Sequence, residues 1–444
     1  MPAGHAQLDQ KHLWHPFTQQ QGWSEEEPLL IERGEGSYVI DIDGRRYIDG
    51  TSSLWCNVHG HRHPDIDRAV SEQLGRIAHS TMLGLSHPGA AELAARLVAI
   101  APPGLSRVFY SDSGSTAAEI ALKMAFQYQA QRGGEHARRT SFVKLREAYH
   151  GDTIGSVSVG GIDLFQAAYG PLLFETHAAE PGDASDLERV LRAHGEEIAA
   201  VIVEPLVQGA AGILVQPPGY LRAVRELCDA HGVLLICDEV ATGFGRTGTM
   251  FACEQEGVAP DLLCLAKGIT GGYLPLAATL ATEAIYAGFL GAPAEQRTFF
   301  HGHTYTGNPL AVAAALANLD VFESERTIER MQPKIQLLAD RLEEIKAMPE
   351  VAEVRWRGFM IGIDLGEHDP TLRMGHRVTL AARERGAIVR PLGNTVVLMP
   401  PLSISAEDLG WLLTIAVESI EAACPSSPRI DSAVPSSTRI PYAA

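Results

Sequence analysis

The chain has 444 residues, 45% of them hydrophobic, which is enough to bury a large core and to form two or three domains. Its formal net charge of −18 argues against a non-specific nucleic-acid-binding protein, because such proteins need clustered lysine and arginine. The sequence opens without the basic and apolar regions of a secretory signal, and no apolar stretch approaches the roughly 18 residues of a membrane span. These features predict a cytoplasmic protein with neither nucleic-acid nor membrane partners.

The six cysteines predict free, buried thiols, as expected in a reducing cytosol. None of them forms a C-x-x-C pair or a zinc-binding spacing, and several lie inside apolar runs. They are Cys56, Cys228, Cys237, Cys253, Cys264 and Cys424.

The first 50 residues predict an extended lead-in followed by strands. Residues 37–49 alternate around Asp43-Gly44, a dipeptide that favours a tight hairpin turn. We expect residues 1–63 to form an N-terminal segment that contributes to a small domain and to the functional site.

From about residue 64, helical segments alternate with short apolar strands. The predicted strands are 107–110, 141–145, 199–203, 233–237 and 262–265. This alternation is typical of an α/β fold, in which helices cover a mostly parallel sheet. One helix is predicted to begin at Gly114-Ser115, because apolar residues then recur on one face. Those residues are Ala117, Ala121, Met124 and Tyr128.

The later part of the chain predicts a smaller α+β domain. An alanine-rich helix over 309–324 and a charged helix over 327–347 lead into strands near 354–364 and 387–399, and a helix near 408–423 follows. We therefore predict a large domain over 64–325, a small domain over 326–423 and a loosely ordered tail over 424–444.

Three polar features each follow a predicted strand of the large domain. They are Asp238-Glu239, Lys267, and the glycine-serine turn 111–115. The carboxyl edge of an open α/β sheet is where ligands bind, so we expect the three features to lie close together. Each alone has an ordinary explanation, either a salt bridge or a helix N-cap.

Together the three features match the needs of pyridoxal 5′-phosphate. A phosphate fits the helix N-terminus at Gly114-Ser115, where free N–H groups and the helix dipole favour an anion. Lys267 can bond covalently to the cofactor, and Asp238 can pair with a protonated pyridine nitrogen. No segment shows the G-x-G-x-x-G or G-x-x-x-x-G-K-[ST] patterns of dinucleotide-binding and P-loop proteins.

The alternating histidines His59, His61 and His63 raise the question of a metal site. No fourth ligand lies within sequence reach, so the pattern favours a structured turn near the functional site, in which His59 caps a turn. We expect no metal.

Two segments resemble class III, fold-type I aminotransferases: LICDEVATGFGRTG at 235–248 and LAKG at 265–268. Three more segments, HLWHPFT at 12–18, YHGDT at 149–153 and HGHTYTGNP at 301–309, are similar to one branch of that class. This branch converts 8-amino-7-oxononanoate to 7,8-diaminononanoate in biotin biosynthesis. The resemblance covers roughly residues 11–422.

The resemblance implies three catalytic residues. Lys267 would hold the cofactor and move a proton between the substrate carbon and cofactor carbon C4′. Asp238 would keep the pyridine nitrogen protonated, and Tyr149 would pack against the cofactor and contact substrate. A core aromatic with a satisfied hydroxyl is the alternative for Tyr149, and Arg246 is expected to organise the loop after Asp238.

The resemblance also implies the remaining cofactor contacts. Gly114 and Ser115 would bind the phosphate, which His303 and Thr304 from the second subunit of a homodimer would complete. Gln208 would lie near the ring hydroxyl.

Arg390 resembles the small-domain arginine that binds the substrate carboxylate, a task that suits its bidentate guanidinium. The other substrate-binding residues that the resemblance implies are Phe17, Leu54, Trp55, Tyr149, Lys267 and Gly302.

The amino donor is left open between S-adenosylmethionine and L-lysine. The branch that uses S-adenosylmethionine carries a tyrosine at the position of Phe17 and two adjacent tryptophans at Leu54-Trp55. Losing a phenol and an indole removes a hydrogen bond and a stacking face from the donor pocket. Segments 53–60 and 299–306 look more like a second branch, in which lysine is the donor.

Three other functions are weighed against this one. A broad ω-aminotransferase acting on diamines or ω-amino acids is disfavoured by the 12–18 lead-in, and an aminomutase of the same fold would need no external donor. A non-catalytic relative typically loses the lysine, whereas this chain keeps Lys267, Asp238 and the phosphate-site residues.

Overall fold

A computed structural model describes residues 2–424 of the chain. These residues divide into two compact units, one made of the chain up to His63 together with the chain from Arg330 onward, the other of Pro64–Glu329. The sequence placed the end of the large domain at 325, before the charged helix. The predicted loose tail lies outside the described residues, apart from Cys424, which is buried at the end of the last helix. Within 2–424, no helix is long and apolar enough to cross a membrane.

The N-terminal part of the first unit contains helices as well as strands. Its elements are α1 (Pro2–His12), α2 (Gln20–Glu25), α3 (Ser52–Trp55), β1 (Ile31–Glu35), β2 (Tyr38–Asp41) and β3 (Arg46–Asp49). The expectation of an extended lead-in is therefore wrong for α1 and α2. Tertiary contacts hold them together, since Asp9 Oδ1 accepts hydrogen bonds from Trp23 Nε1 at 3.1 Å and His15 Nε2 at 3.0 Å. The hairpin is confirmed: β2 and β3 pair antiparallel across the Asp43-Gly44 turn.

The larger unit is an α/β structure. Its helices are α4 (Pro64–Leu74), α5 (Pro88–Ile100), α6 (Gly114–Arg132), α7 (Ile154–Ser158), α8 (Asp163–Ala167), α9 (Ala184–His194), α10 (Tyr220–His231), α11 (Glu283–Gly288) and α12 (Pro309–Ser324). Its strands are β4 (Leu105–Ser111), β5 (Ser141–Leu145), β6 (His177–Ala179), β7 (Ile198–Val203), β8 (Val207–Gln208), β9 (Leu214–Val215), β10 (Leu234–Asp238), β11 (Leu262–Leu265) and β12 (Ala277–Thr282).

Seven of these strands form one mostly parallel sheet in the order β4-β12-β11-β10-β7-β5-β6. All neighbouring pairs are parallel except those of β12, which runs antiparallel to both β11 and β4. Helix α6 packs against β7, β11 and β12. The predicted α/β class with a mostly parallel sheet is confirmed, whereas β6 and β12 were missed. The β12 sequence AATLAT is rich in alanine, which has a low strand propensity, so its burial in the sheet depends on its neighbours.

The C-terminal part of the first unit supplies the rest of its structure. Its elements are α13 (Thr327–Lys346), α14 (Met374–Glu384), α15 (Ala406–Ala423), β13 (Glu353–Arg357), β14 (Met360–Asp364), β15 (Ala387–Ile388), β16 (Arg390–Leu392) and β17 (Thr395–Leu398). Strand β15 pairs parallel with β3 and so joins the two ends of the chain in one sheet. The other four strands form a second sheet in the order β13-β14-β17-β16.

Candidate active site

The three predicted features of the large unit follow strands that end at one edge of the sheet. Strands β10 and β11 are parallel neighbours in which Asp238 is paired with Cys264. Because β12 is antiparallel to both β11 and β4, β4 runs in the same direction as β11. Asp238, Lys267 and the turn that precedes α6 therefore emerge at the same edge, where ligands bind in open α/β sheets.

The N-terminus of α6 is built by a capping box. The Ser113 side chain accepts a hydrogen bond from the Thr116 N–H, and the Thr116 hydroxyl accepts one from the Ser113 N–H. This geometry fixes the first turn and leaves the N–H groups of Gly114 and Ser115 at the helix end. A Cβ on Gly114 would lie 2.6 Å from Val240 Cγ1, so the helix end packs directly against the segment that follows Asp238.

Asp238 is held in a single orientation at the end of β10. One carboxylate oxygen, Oδ2, lies 2.7 Å from His150 Nδ1, and the other accepts the Val240 N–H at 3.0 Å. Both Asp238 and His150 are buried. Since a carboxylate accepts, the His150 Nδ1 carries the hydrogen. Within residues 2–424, the buried His150 Nε2 has no hydrogen-bond partner.

A second buried carboxylate, Glu204, lies beside this pair. Its oxygens accept the backbone N–H groups of Tyr149 at 3.0 Å and Gly209 at 2.8 Å. Burial raises the pKa of Glu204 to about 7; the nearby His150 opposes this rise, and the negative charge of Asp238 adds to it. Glu204 thus fixes the backbone of the segment that carries Tyr149 and His150.

Tyr149 is half-buried and makes a local polar contact. Its hydroxyl donates to Asp152 Oδ2 at 2.7 Å, and its ring lies edge-on to Phe165 at 6.0 Å between centroids. Burial and the Asp152 hydrogen bond raise its pKa above the ordinary value. The Asp152 N–H in turn donates to Ser115 Oγ at 3.0 Å, so Tyr149 is linked to the α6 N-terminus.

Lys267 lies in an unusual backbone conformation directly after β11. Its φ is +47°, a left-handed value that is uncommon for a residue with a Cβ and that clusters at functional sites. The buried Asn318 on α12 donates from Nδ2 to the carbonyls of Gly268 at 3.0 Å and Ile269 at 3.2 Å. A Cβ on Gly268 would meet Phe244 Cβ at 2.8 Å. The turn after Lys267 is therefore held from two sides.

Gln208 and Arg246 are both buried. Gln208 Nε2 donates to the Arg146 carbonyl at 2.8 Å, and its Oε1 accepts from Gln216 Nε2 at 2.7 Å. One Gln208 N–H therefore remains for another acceptor. Arg246 lies in the loop after Asp238, between the left-handed glycines Gly245 and Gly248.

The segment that contains His303 and Thr304 combines exposed residues with histidines that contact other side chains. Thr304 and Gly302 are exposed. His303 Nε2 lies 3.1 Å from His301 Nε2, and its Nδ1 lies 3.9 Å from Asp112 just before α6. On the other side of the pair, His301 Nδ1 lies 3.0 Å from Lys123 Nζ.

The predicted substrate residues of the smaller unit lie in three places. They are the strained turn 52–55, the lead-in segment around Phe17, and strand β16. Leu54 is about half exposed, whereas Trp55 is buried with a φ of +63°. Ser52 and Ser53 also have positive φ values, and the Asp49 carboxylate accepts the Ser53 N–H at 2.8 Å. Phe17 is also about half exposed and has a φ of +50°. Arg390 is the first residue of strand β16.

The histidines 59, 61 and 63 belong to a structured turn in the smaller unit. His61 Nε2 lies 2.9 Å from Asp49 Oδ2, and the His61 backbone forms a bridge to Gly36. His59 is buried, with its ring 6.0 Å from that of His63. Asp49 therefore connects this turn to the strained 52–55 segment.

A family model for aminotransferase class III matches residues 20–420. The chain belongs to the class III aminotransferases. It is therefore a transaminase that uses pyridoxal 5′-phosphate, in the fold-type I architecture.

Relatives within the class are similar over nearly the whole chain. The adenosylmethionine-8-amino-7-oxononanoate aminotransferase of Nitratidesulfovibrio vulgaris is 59% identical over 91% of this chain and 79% of its own length. The crystal structure of the enzyme of that name from Methanocaldococcus jannaschii has a TM-score of 0.93 and 44% identity, covering 95% of this chain and 99% of its own. An (S)-enantioselective ω-transaminase from Thermomicrobium roseum has a TM-score of 0.91 and 34% identity, with the same coverage.

The residues of this class III aminotransferase fit the cofactor. The helix end at Gly114 presents backbone N–H groups to an anion, and Val240 fills the space that a Cβ would need. Asp238 presents a buried carboxylate whose oxygens have lone pairs left to accept a hydrogen bond from a protonated ring nitrogen. Lys267 supplies the amine at the same sheet edge, so the donor set matches phosphate, ring and aldehyde.

Three residues that shape the site of this aminotransferase had no role in the sequence interpretation. His150 lies inside the 149–153 motif and Glu204 lies four residues before Gln208, but neither was assigned a function from the sequence. Asn318 lies within a predicted alanine-rich helix, where no local signal distinguishes it. All three act through contacts that are distant in sequence; His150 and Asp238, for example, are 88 positions apart.

Proposed function

We propose that this aminotransferase transfers an amino group to 8-amino-7-oxononanoate and forms 7,8-diaminononanoate, a step in biotin biosynthesis. The observation that carries the proposal is the high identity to the Nitratidesulfovibrio vulgaris relative, whose name contains this acceptor. The relative from Methanocaldococcus jannaschii carries the same name and supports the same acceptor.

Pyridoxal phosphate supplies an aldehyde that bonds to amines and a ring that withdraws electrons from the substrate carbon. The Lys267 Nζ would hold the cofactor covalently, and once the substrate amine has displaced it, the free Nζ would carry the proton that leaves the amine-bearing carbon. The Asp238 carboxylate pairs with the ring nitrogen and keeps it protonated, and the hydrogen bond from His150 fixes that carboxylate. Tyr149 packs against the ring and contacts the substrate.

The phosphate is bound by Gly114 and Ser115 at the N-terminus of α6. The Ser115 hydroxyl already accepts from Asp152, so its own hydrogen is available to donate. In a homodimer, His303 and Thr304 of one subunit complete the phosphate site of the other, which is consistent with the exposure of Thr304. Gln208 supplies its remaining N–H near the ring hydroxyl.

Arg390 binds the substrate carboxylate through its guanidinium. Phe17, Leu54, Trp55 and Gly302 line the substrate site together with Tyr149. The positive φ values at Phe17 and Trp55 support this role, since strained backbone is retained at functional sites.

The first test replaces Lys267 with alanine. The wild-type protein should become coloured with pyridoxal phosphate, and borohydride should fix the cofactor onto Lys267. The Lys267→Ala variant should bind the cofactor reversibly and have no transaminase activity. A control variant at another lysine of the same unit, Lys144→Ala, should keep the covalent label. A wild-type protein without label would contradict the assignment.

Two amino donors are candidates, and each rests on a different observation. S-adenosylmethionine is named in the relatives. L-lysine is favoured by Phe17 and Leu54, which stand where the S-adenosylmethionine branch has a phenol and an indole. Purified enzyme incubated with 8-amino-7-oxononanoate and each donor in turn decides between them, with diaminononanoate measured by mass spectrometry. Activity with S-adenosylmethionine and none with lysine would reject a remodelled donor site.

The second candidate function is that of a broad ω-transaminase. The close structural likeness to the Thermomicrobium roseum ω-transaminase favours it. A panel of diamines, ω-amino acids and aryl amines as donors, with pyruvate as acceptor, discriminates the two. Turnover of these amines comparable to that of 8-amino-7-oxononanoate would favour the broad function.

We also infer a cytoplasmic homodimer. All six cysteines are free thiols, as expected in a reducing compartment. Light scattering coupled to size-exclusion chromatography should give twice the 47.8 kDa chain mass. A monomeric mass with full activity would remove the shared phosphate site from the proposal.

A further inference from the structure

Three potential metal ligands meet at the edge of the large-unit sheet. His177 opens the edge strand β6, His194 is the last residue of α9, and Glu197 lies just before β7. One ligand atom from each of the three side chains lies within 4.8 Å of the others, and among the described residues this is the one such group. None of these residues belongs to the proposed cofactor or substrate site.

The two imidazoles are in contact with each other. Their rings are stacked with centroids 4.2 Å apart and an interplanar angle of 21°. His177 is partly buried, whereas His194 and Glu197 are exposed.

The backbone that carries the ligands is well anchored. His177 is in register with Val143 of the neighbouring strand β5. The Glu197 carbonyl accepts the N–H groups of Thr140 at 2.8 Å and Ser141 at 2.9 Å, and the Glu197 N–H donates to the His194 carbonyl at 2.8 Å. The backbone positions of the ligands are therefore fixed, and the two stacked rings have to turn before their nitrogens face a common ion.

The electrostatics of the site favour a cation. His194 lies at the C-terminus of α9, an 11-residue helix whose dipole places partial negative charge there. Glu197 and Glu175 both contribute negative potential at His177. In the part of the chain that the structure describes, the Glu197 carboxylate forms no hydrogen bond or ion pair that would have to be broken.

We propose that His177, His194 and Glu197 form a binding site for a divalent transition metal, with Zn²⁺ as the ion that best suits the ligands. Two imidazoles and one carboxylate are a ligand set that zinc accepts, with bond lengths of about 2.0–2.2 Å. Two ligand atoms on a tetrahedral zinc ion are about 3.3–3.6 Å apart, so the side chains have to rotate inward from their present separation, which is within 4.8 Å, to complete the site. Water fills the remaining coordination position. The bound ion clamps the edge strand to the end of α9.

The test is isothermal titration of the untagged, cofactor-loaded full chain with ZnCl₂. Wild-type protein should bind one more Zn²⁺ per chain than His194→Gln or His177→Gln, or bind it at least tenfold more tightly. Glu197→Gln should lie between them. His5→Gln, which changes an exposed histidine on α1, should match the wild type. The His301 and His303 pair is unchanged in every variant, so zinc bound there does not affect the difference.

The same stoichiometry and affinity in wild type, His194→Gln and His177→Gln would overturn the proposal, as would a wild type that binds no zinc. Circular dichroism and transaminase activity, both expected to match the wild type, establish that the variants are folded. A second measurement needs no variant at all. X-ray absorption of the wild-type chain with one equivalent of zinc should show two imidazole ligands, and a spectrum without imidazole would equally reject the site.

Discussion

At the scale of single residues, the orientation of Asp238 depends on His150. Without the 2.7 Å contact to His150 Nδ1, only the Val240 N–H would restrain the rotation of the carboxylate. Since both groups are buried, this charge-assisted hydrogen bond is not weakened by competing water.

Replacing His150 with leucine should lower kcat/KM about ten- to hundredfold, because a hydrogen bond to a charged group contributes about 1.5–3 kcal/mol. The visible absorbance of the bound cofactor should also change, which a purely structural defect elsewhere would not cause. His150→Asn keeps an N–H donor and should recover part of the activity. Steady-state kinetics of His150→Leu within threefold of wild type would show that Asp238 needs no such support.

Asn318 has a comparable role for Lys267. Replacing it with leucine removes the donor from two buried carbonyls, so the free energy of unfolding should fall by about 1–3 kcal/mol. The left-handed Lys267 should relax, and kcat should fall as well. Urea denaturation and kinetics measure the two effects. Gln129→Leu removes another buried amide that donates to a carbonyl, that of Ala199, and should lower stability with kcat unchanged.

At the scale of elements, the site depends on how tightly the α6 N-terminus packs against the β10 end. The 2.6 Å approach of a Gly114 Cβ to Val240 explains why the helix begins with glycine. The capping box at Ser113 then fixes the direction in which the first N–H groups point.

Gly114→Ala should separate these two elements and weaken cofactor binding. Overpacking of this kind costs about 1–3 kcal/mol of stability. Because the displaced helix end loses hydrogen bonds to the phosphate, each worth about 1.5 kcal/mol or more, the dissociation constant of pyridoxal phosphate should rise at least about tenfold. Fluorescence titration of the apoenzyme measures the change. The control is Gly410→Ala in α15, where a Cβ meets nothing within 4 Å and helix propensity favours alanine. Equal cofactor affinity in both variants would contradict the packing argument.

At the scale of the whole molecule, the raised pKa of Glu204 makes the stability of the folded chain depend on pH. Its pKa is raised from the model-compound value of 4.5 to about 7 in the folded chain, mainly by burial. The folded state therefore binds more protons than the unfolded state between these pH values. Its contribution to stability is complete below pH 4.5 and is lost as the pH rises through about 7.

The Glu204→Gln variant should lack this pH dependence. The wild type minus variant difference in free energy of unfolding should decrease by about 3 kcal/mol from pH 4.5 to above pH 7, since each pKa unit corresponds to about 1.4 kcal/mol. Denaturant unfolding at a series of pH values gives this difference, in which the titrating groups that do not interact with Glu204 cancel. A difference that is constant with pH would show that Glu204 has an ordinary pKa.

The sequence by itself determined the local elements and the residues at their ends. One short apolar run ends at Asp238, and another ends two residues before Lys267. Both were predicted as strands, and in the structure they are neighbours in one sheet. Capping, turn and periodicity signals act over a few residues. The sequence therefore also predicted the Asp43-Gly44 turn, the start of α6 and the alanine-rich α12.

Only the tertiary structure decided which distant groups meet. The alanine-rich β12 becomes a strand because β4 and β11 offer it hydrogen bonds on both sides, not because of its own propensity. His150 reaches Asp238, Asn318 reaches the turn after Lys267, and His194 stacks on His177 through contacts between separate elements. Such partners depend on the order of strands and the packing of helices, which no short stretch of residues encodes.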